Sequence, residues 1–153
     1  QRGLTVFFTG LSGSGKSSLL HLLALLDEEL FLQIKGETDS ECLFFLIMHF
    51  LHKDGKHDMV DAVSSAFSWL DSQQEVLGGY LELNIVMTNG HQLMATRFVS
   101  SNKKPLSLSY SWHNQSLVLA SEVMDDVSSD WKEVPSNHYL LVEKGENLVL
   151  KSF

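Results

Sequence analysis

Apolar positions follow a helical period in the first half of this chain and a strand period in the second. Leu19, Leu22, Leu23, Leu26 and Leu30 recur three and four residues apart, predicting a helix over 17–33 that Lys35-Gly36 breaks. A second helix is expected over 38–52, ending before Lys53-Asp54-Gly55. A third is expected over 57–73, with Met59, Val63, Phe67 and Leu70 on its buried face. After Gly78-Gly79 the period changes to two. Residues 81–88 and 92–99 flank Asn89-Gly90, a strong hairpin signal. Further strands are expected at 106–111, 117–121, 138–143 and 148–151, with a turn at Lys144-Gly145-Glu146-Asn147. Helices followed by strands predict an α+β fold, its N-terminal helices packed on one face of a mainly antiparallel sheet.

One apolar, β-prone run stands outside that division. Residues 4–9 lead into Gly10-Leu11-Ser12-Gly13-Ser14-Gly15-Lys16-Ser17, a full match to the phosphate-binding P-loop in a strand–loop–helix context. Glycines let backbone N–H groups turn inward around phosphate oxygens, and the following helix N-terminus adds partial positive charge. Lys16 would reach the β/γ-phosphates, and the Ser17 hydroxyl would ligate magnesium. Gly10, Ser12, Gly13, Ser14, Gly15, Lys16, Ser17 and Ser18 are therefore nucleotide-binding candidates, with Mg-ATP as ligand. The run 2–18 closely resembles the start of adenylylsulfate kinases, which implies ATP-dependent phosphorylation of adenylylsulfate. That resemblance ends near Ser18. No Asp-Gly-Asp segment follows, the only arginines are Arg2 and Arg97, and the nearest strand ending in an acid is 117–122.

Composition narrows the partners. At 153 residues the chain suits one domain with a real core. Eleven Lys+Arg against 19 Asp+Glu give a formal net charge of -8, so no basic stripe exists for a nucleic acid. The single cysteine, Cys42, excludes an internal disulfide and fits a reducing compartment. The leucine-rich runs 19–26 and 43–51 are too short and interrupted to span a bilayer, and no signal peptide is visible. A cytoplasmic protein is expected. Gln1 is not a natural initiator, so a true N-terminus lying upstream or trimmed away is expected.

Several motifs lie in order beyond the P-loop. They include Leu26-Asp27-Glu28-Glu29, Ile34-Lys35-Gly36-Glu37-Thr38-Asp39-Ser40-Glu41 and Leu83-Asn84-Ile85-Val86-Met87-Thr88-Asn89-Gly90. Ala95-Thr96-Arg97-Phe98, Ala120-Ser121-Glu122 and Asp130-Trp131-Lys132-Glu133-Val134-Pro135-Ser136-Asn137-His138 follow. Through them residues 25–153 resemble the C-terminal half of a class II glutamine amidotransferase, closest to the branch of glutathione breakdown and ergothioneine synthesis. The resemblance implies a partial N-terminal-nucleophile hydrolase fold of stacked antiparallel sheets between helix layers. It also implies hydrolysis of a γ-glutamyl amide, glutamine or a glutathione-like compound, with Asp39 binding the substrate's α-ammonium. The family's nucleophile is an N-terminal cysteine, and its upstream half carries an arginine and an Asn-Gly oxyanion pair. Asn89-Gly90 aligns with a later hairpin, so no catalytic residue is assigned here, and the chain alone is expected to be inactive.

The chain then reads as composite, with a P-loop segment at 1–18 and an amidotransferase-like domain at 19–153. The second sheet of that fold would be largely absent. Leucine-rich helix surface and a sheet face would lie uncovered, favouring self-association or a protein partner. A non-enzymatic module docking through these helices is the third reading, beside hydrolase and nucleotide binder. Locally, Thr38-Asp39-Ser40-Glu41 is also a capping box, with Thr38 as N-cap and Glu41 reaching back. Cys42, in an apolar helix without a base, is expected to be a buried structural thiol. His49, His52 and His57 are spaced closely but lack carboxylate neighbours, and solvated histidines are expected.

Overall fold

The computed structural model describes residues 5–9, 28–36, 38–53, 58–77, 80–114, 116–123, 130–144 and 147–153, with 5–9 and Val76 described by backbone alone. They belong to two compact units, Leu11–Leu81 and a second made of Gln1–Gly10 with Glu82–Phe153.

The first unit is helical. Its described elements are α1 (Glu28–Phe31), α2 (Asp39–His52), α3 (Met59–Ser72) and α4 (Gln74–Leu77). Thr38 caps α2, its Oγ1 accepting from the Glu41 amide at 3.2 Å, so the helix starts where the sequence predicts. Asp58 caps α3 by accepting from the Asp61 amide at 2.9 Å, so the helix starts at Met59 rather than at the expected 57. Met59, Val63, Phe67 and Leu70 are all buried as expected, and Ala62 and Ala66 widen the same stripe. α2 packs on α3, and its Cys42, Leu43, Leu46 and Ile47 are buried. Most of the first predicted helix lies outside the described residues.

The second unit holds β1 (Thr5–Thr9), β2 (Glu82–Thr88), β3 (Gln92–Val99), β4 (Ser109–His113), β5 (Ser116–Ala120), β6 (Lys132–Glu133), β7 (His138–Glu143) and β8 (Val149–Ser152). Five strands pair in the order β1-β2-β3-β7-β8 and three in the order β5-β4-β6, antiparallel throughout. The expectation that a second sheet would be largely absent is thus corrected. Register puts Val86, Ala95 and Leu140 side by side on one face of the larger sheet. They pack with Leu108, Tyr110 and Val134, and with half-buried Trp112, Leu117 and Leu119, forming a core between the sheets. The opposite face carries Leu83, Ile85, Met87 and Met94, also buried.

At Asn89-Gly90 the hairpin forms, but through three residues rather than two. Asn89 Oδ1 accepts from the amides of His91 and Gln92 at 3.0 and 2.8 Å, and of these residues only Gly90 has positive φ, at 82°. The side-chain turn at Asn89 replaces the second left-handed residue of a two-residue turn. Asn137 takes φ 57° before β7, and its Oδ1 accepts from the Val99 amide at 2.8 Å, closing the end of β3.

Arg97 joins the two sheets. It is 3% exposed, and its fork donates to the carbonyls of Leu106 at 2.8 Å, Val134 at 2.5 Å and Pro105 at 3.3 Å. Asn84 Nδ2 donates to Leu106 and Ser107 carbonyls at 3.3 and 3.2 Å from the neighbouring strand. Glu133 on β6 completes the group with an ion pair to Arg97 at 2.9 Å. The segment entering β4 is therefore pinned by polar side chains that would cost heavily if left unmatched in the core.

Candidate functional site

Asp39 is the first residue of α2, directly after its N-cap. A carboxylate there is stabilised as an anion by the unpaired N–H groups and dipole of the helix start. The residue is half-buried, and its Oδ1 is shielded from solvent. The rest of the segment holds it there. Glu41 does not return to the Thr38 amide as the reciprocal half of a capping box. Its carboxylate reaches further, Oε1 accepting from the Lys35 amide at 3.0 Å and Oε2 from the Gly36 amide at 2.7 Å. Only the Thr38 half of the expected box is present. Gly36 suits this arrangement, because a Cβ there would meet Glu41 Oε2 and displace the carboxylate. Glu41 thus ties the incoming chain to the first turn that carries Asp39. By sequence pattern alone Glu41 is a local cap. Lys35-Gly36, read as a helix break, was the available sign of its partners.

Cys42 lies one turn beyond Asp39 and is 2% exposed. Burial pushes its thiol pKa up, and the charges of Asp39 and Glu41 push it further. A thiol held protonated is a poor nucleophile, so Cys42 is the structural residue the sequence predicts.

The P-loop candidates Gly10, Ser12, Gly13, Ser14, Gly15, Lys16, Ser17 and Ser18 lie outside the described residues. The strand before them is described. Although β1 ends at Thr9, as the motif requires, it is the outermost strand of its sheet and pairs antiparallel with β2. Among the described residues no parallel strand stands beside it to present a magnesium-binding acid. Glu122, the acid nearest a strand end, is exposed beyond β5. His49 and His52 sit on α2, His57 lies outside the described residues, and no group of three metal-ligating side chains occurs among those described. No described helix is long and apolar enough to cross a membrane.

No protein-family model and no curated relative matches the chain. Solved structures do match. A glutamine aminotransferase class-II domain protein from Silicibacter pomeroyi superposes on 100% of this chain and 68% of its own, with TM-score 0.82 and 23% identity. The allosteric regulatory enzyme of purine biosynthesis matches 97% of this chain and 28% of its own, with TM-score 0.68 and 15% identity. Glutamine phosphoribosylpyrophosphate amidotransferase from B. subtilis, in complex with ADP and GMP, matches 99% and 31%, with TM-score 0.62 and 16% identity. The chain therefore has the α+β, antiparallel fold of glutamine amidotransferase domains of the N-terminal-nucleophile type. It spans about two thirds of the first of these chains and under a third of the other two.

Proposed function

We propose that this chain carries the substrate-recognition part of a class II amidotransferase-type hydrolase acting on a γ-glutamyl amide, either glutamine or a glutathione-like compound. What supports this is the superposition of its whole length on such a domain, together with Asp39 on the anchored first turn of α2. A γ-glutamyl group offers an α-ammonium, and a shielded carboxylate at a helix start is a suitable acceptor for it. One charge-assisted hydrogen bond contributes roughly 1.5–3 kcal/mol. Alone that corresponds to roughly 5–80 mM before the entropy of association is counted, so weak binding is expected.

Bond cleavage needs a reactive thiolate and donors for the developing oxyanion. Cys42 is the only thiol in these 153 residues, and burial holds it protonated. Recognition, not turnover, is the role assigned to this chain in isolation. An ammonia-release assay with L-glutamine tests this: no release is expected from the purified chain. Release that survives Cys42→Ser would mean another residue of the chain is the nucleophile. Supplying a segment with an N-terminal cysteine and an Asn-Gly pair should restore turnover, and Asp39→Ala should then mainly raise KM.

Nucleotide binding through residues 10–18 is a second reading. It is favoured by one observation, a strand ending at Thr9 directly before Gly10, and opposed by the edge position and antiparallel pairing of that strand.

A further inference from the structure

We propose that Glu41 is the positioning residue of the γ-glutamyl site, fixing Asp39 by tying the Lys35–Gly36 backbone to the first turn of α2; this rests on Asp39 being the ammonium acceptor. Three observations converge. Both oxygens of one carboxylate are used, each on a successive main-chain amide, at 3.0 and 2.7 Å. Two parallel charge-assisted bonds fix orientation as well as distance. The residue at 36 is a glycine, and a Cβ there would meet Glu41 Oε2, so a larger residue would require the carboxylate to shift from this contact. Finally, Thr38 Oγ1 accepts from the Glu41 amide at 3.2 Å, which closes the segment from the other side. Asp39 therefore sits between two ties that share Glu41, one through its main chain and one through its side chain. Binding geometry set to within a fraction of an ångström requires support of this kind, because a loosely held carboxylate must be ordered when the ligand arrives.

The test uses the 153-residue chain with L-glutamine as probe, titrated at millimolar concentrations and followed by amide NMR. Wild type is compared with Asp39→Asn, Glu41→Ala, Glu41→Gln and Gly36→Ala. Glu41→Ala removes the tie, while Gly36→Ala displaces the carboxylate without removing it, so the two should fail alike. Each is expected to weaken glutamine binding by about tenfold, the equivalent of one charge-assisted hydrogen bond. Combining them should add little to either alone. Glu41→Gln keeps one acceptor oxygen and should recover part of the loss. Hydrogen exchange at the Lys35 and Gly36 amides should accelerate in both disrupted variants, while α2 amides from Leu46 onward stay protected. Binding lost in Asp39→Asn but unchanged in Glu41→Ala and Gly36→Ala overturns the positioning role and leaves the substrate assignment standing. Failure of wild type to bind glutamine overturns both. Loss of α2 protection in Glu41→Ala, with Gly36→Ala folded and binding normally, would reduce Glu41 to a structural residue.

Discussion

Arg97→Met should detach the smaller sheet from the larger one. Arg97 satisfies three carbonyls, of which Leu106 keeps Asn84 as a second donor while Val134 and Pro105 lose their side-chain donor. Each buried carbonyl left unmatched costs about 1–3 kcal/mol. The ion pair adds little, because the Glu133 side chain is 55% exposed and its charge is screened by water. Removing a buried charge also returns part of its desolvation cost. The expected net loss is about 3 kcal/mol, a large share of a typical folding stability of roughly 5–15 kcal/mol. With a urea slope of about 2 kcal/mol/M, the midpoint should fall by about 1.5 M. Trp112 packs against the inter-sheet core, so tryptophan fluorescence through the titration reports the relevant melting. Arg97→Lys keeps the charge but not the planar fork, and should recover less than half of the loss. A midpoint shift below about 0.25 M in Arg97→Met, roughly 0.5 kcal/mol, would show that these carbonyls are not being held by Arg97.

Cys42 should resist iodoacetamide at neutral pH in the folded chain and react quickly in urea, as read by mass spectrometry; fast labelling of the native chain would contradict its burial. Its raised pKa also sets a sign. The folded state holds the thiol proton more tightly, so its contribution to stability is intact below the unfolded value of about 8.5 and erodes as pH rises above it. Cys42→Ser should remove that alkaline loss. For the P-loop, calorimetric titration with Mg-ATP should give the same negligible heat for wild type and Lys16→Ala; a saturable heat lost on substitution would establish the nucleotide site instead.

The sequence made those elements legible whose period and boundary residues agree. Residues 92–99 and 138–143 are strands over the ranges expected, since alternation and turn residues specify the same ends. Capping by Thr38 did the same for α2, whereas the start of α3 was expected at 57 and is set at Met59 by the Asp58 cap. Lys132–Glu133 could not be found this way, because two residues carry no period; the strand exists through its pairing with Ser109 and Tyr110 and the ion pair of Glu133 to Arg97. The smaller sheet was underestimated for a related reason, its strands being short and β5 outwardly exposed at Val118. Asp39 was legible as a helix-start carboxylate. The path of Glu41 to Lys35 and Gly36 was not, since a carboxylate at the third helical position normally caps its own N-cap amide. Only the backbone path of residues 35–36 redirects it.

Substrate recognition at Asp39 is tested most directly by titrating L-glutamine into the wild-type chain and into Asp39→Asn, an isostere without charge. The amides of α2's first turn serve as reporters, and N-acetyl-glutamine, which lacks the α-ammonium, serves as control ligand. If Asp39 receives the ammonium, wild type binds glutamine weakly, with a Kd of roughly tens of millimolar, N-acetyl-glutamine binds more weakly still, and Asp39→Asn loses about tenfold in affinity. Equal binding of glutamine by wild type and Asp39→Asn, or equal binding of the two ligands by wild type, would contradict the assignment.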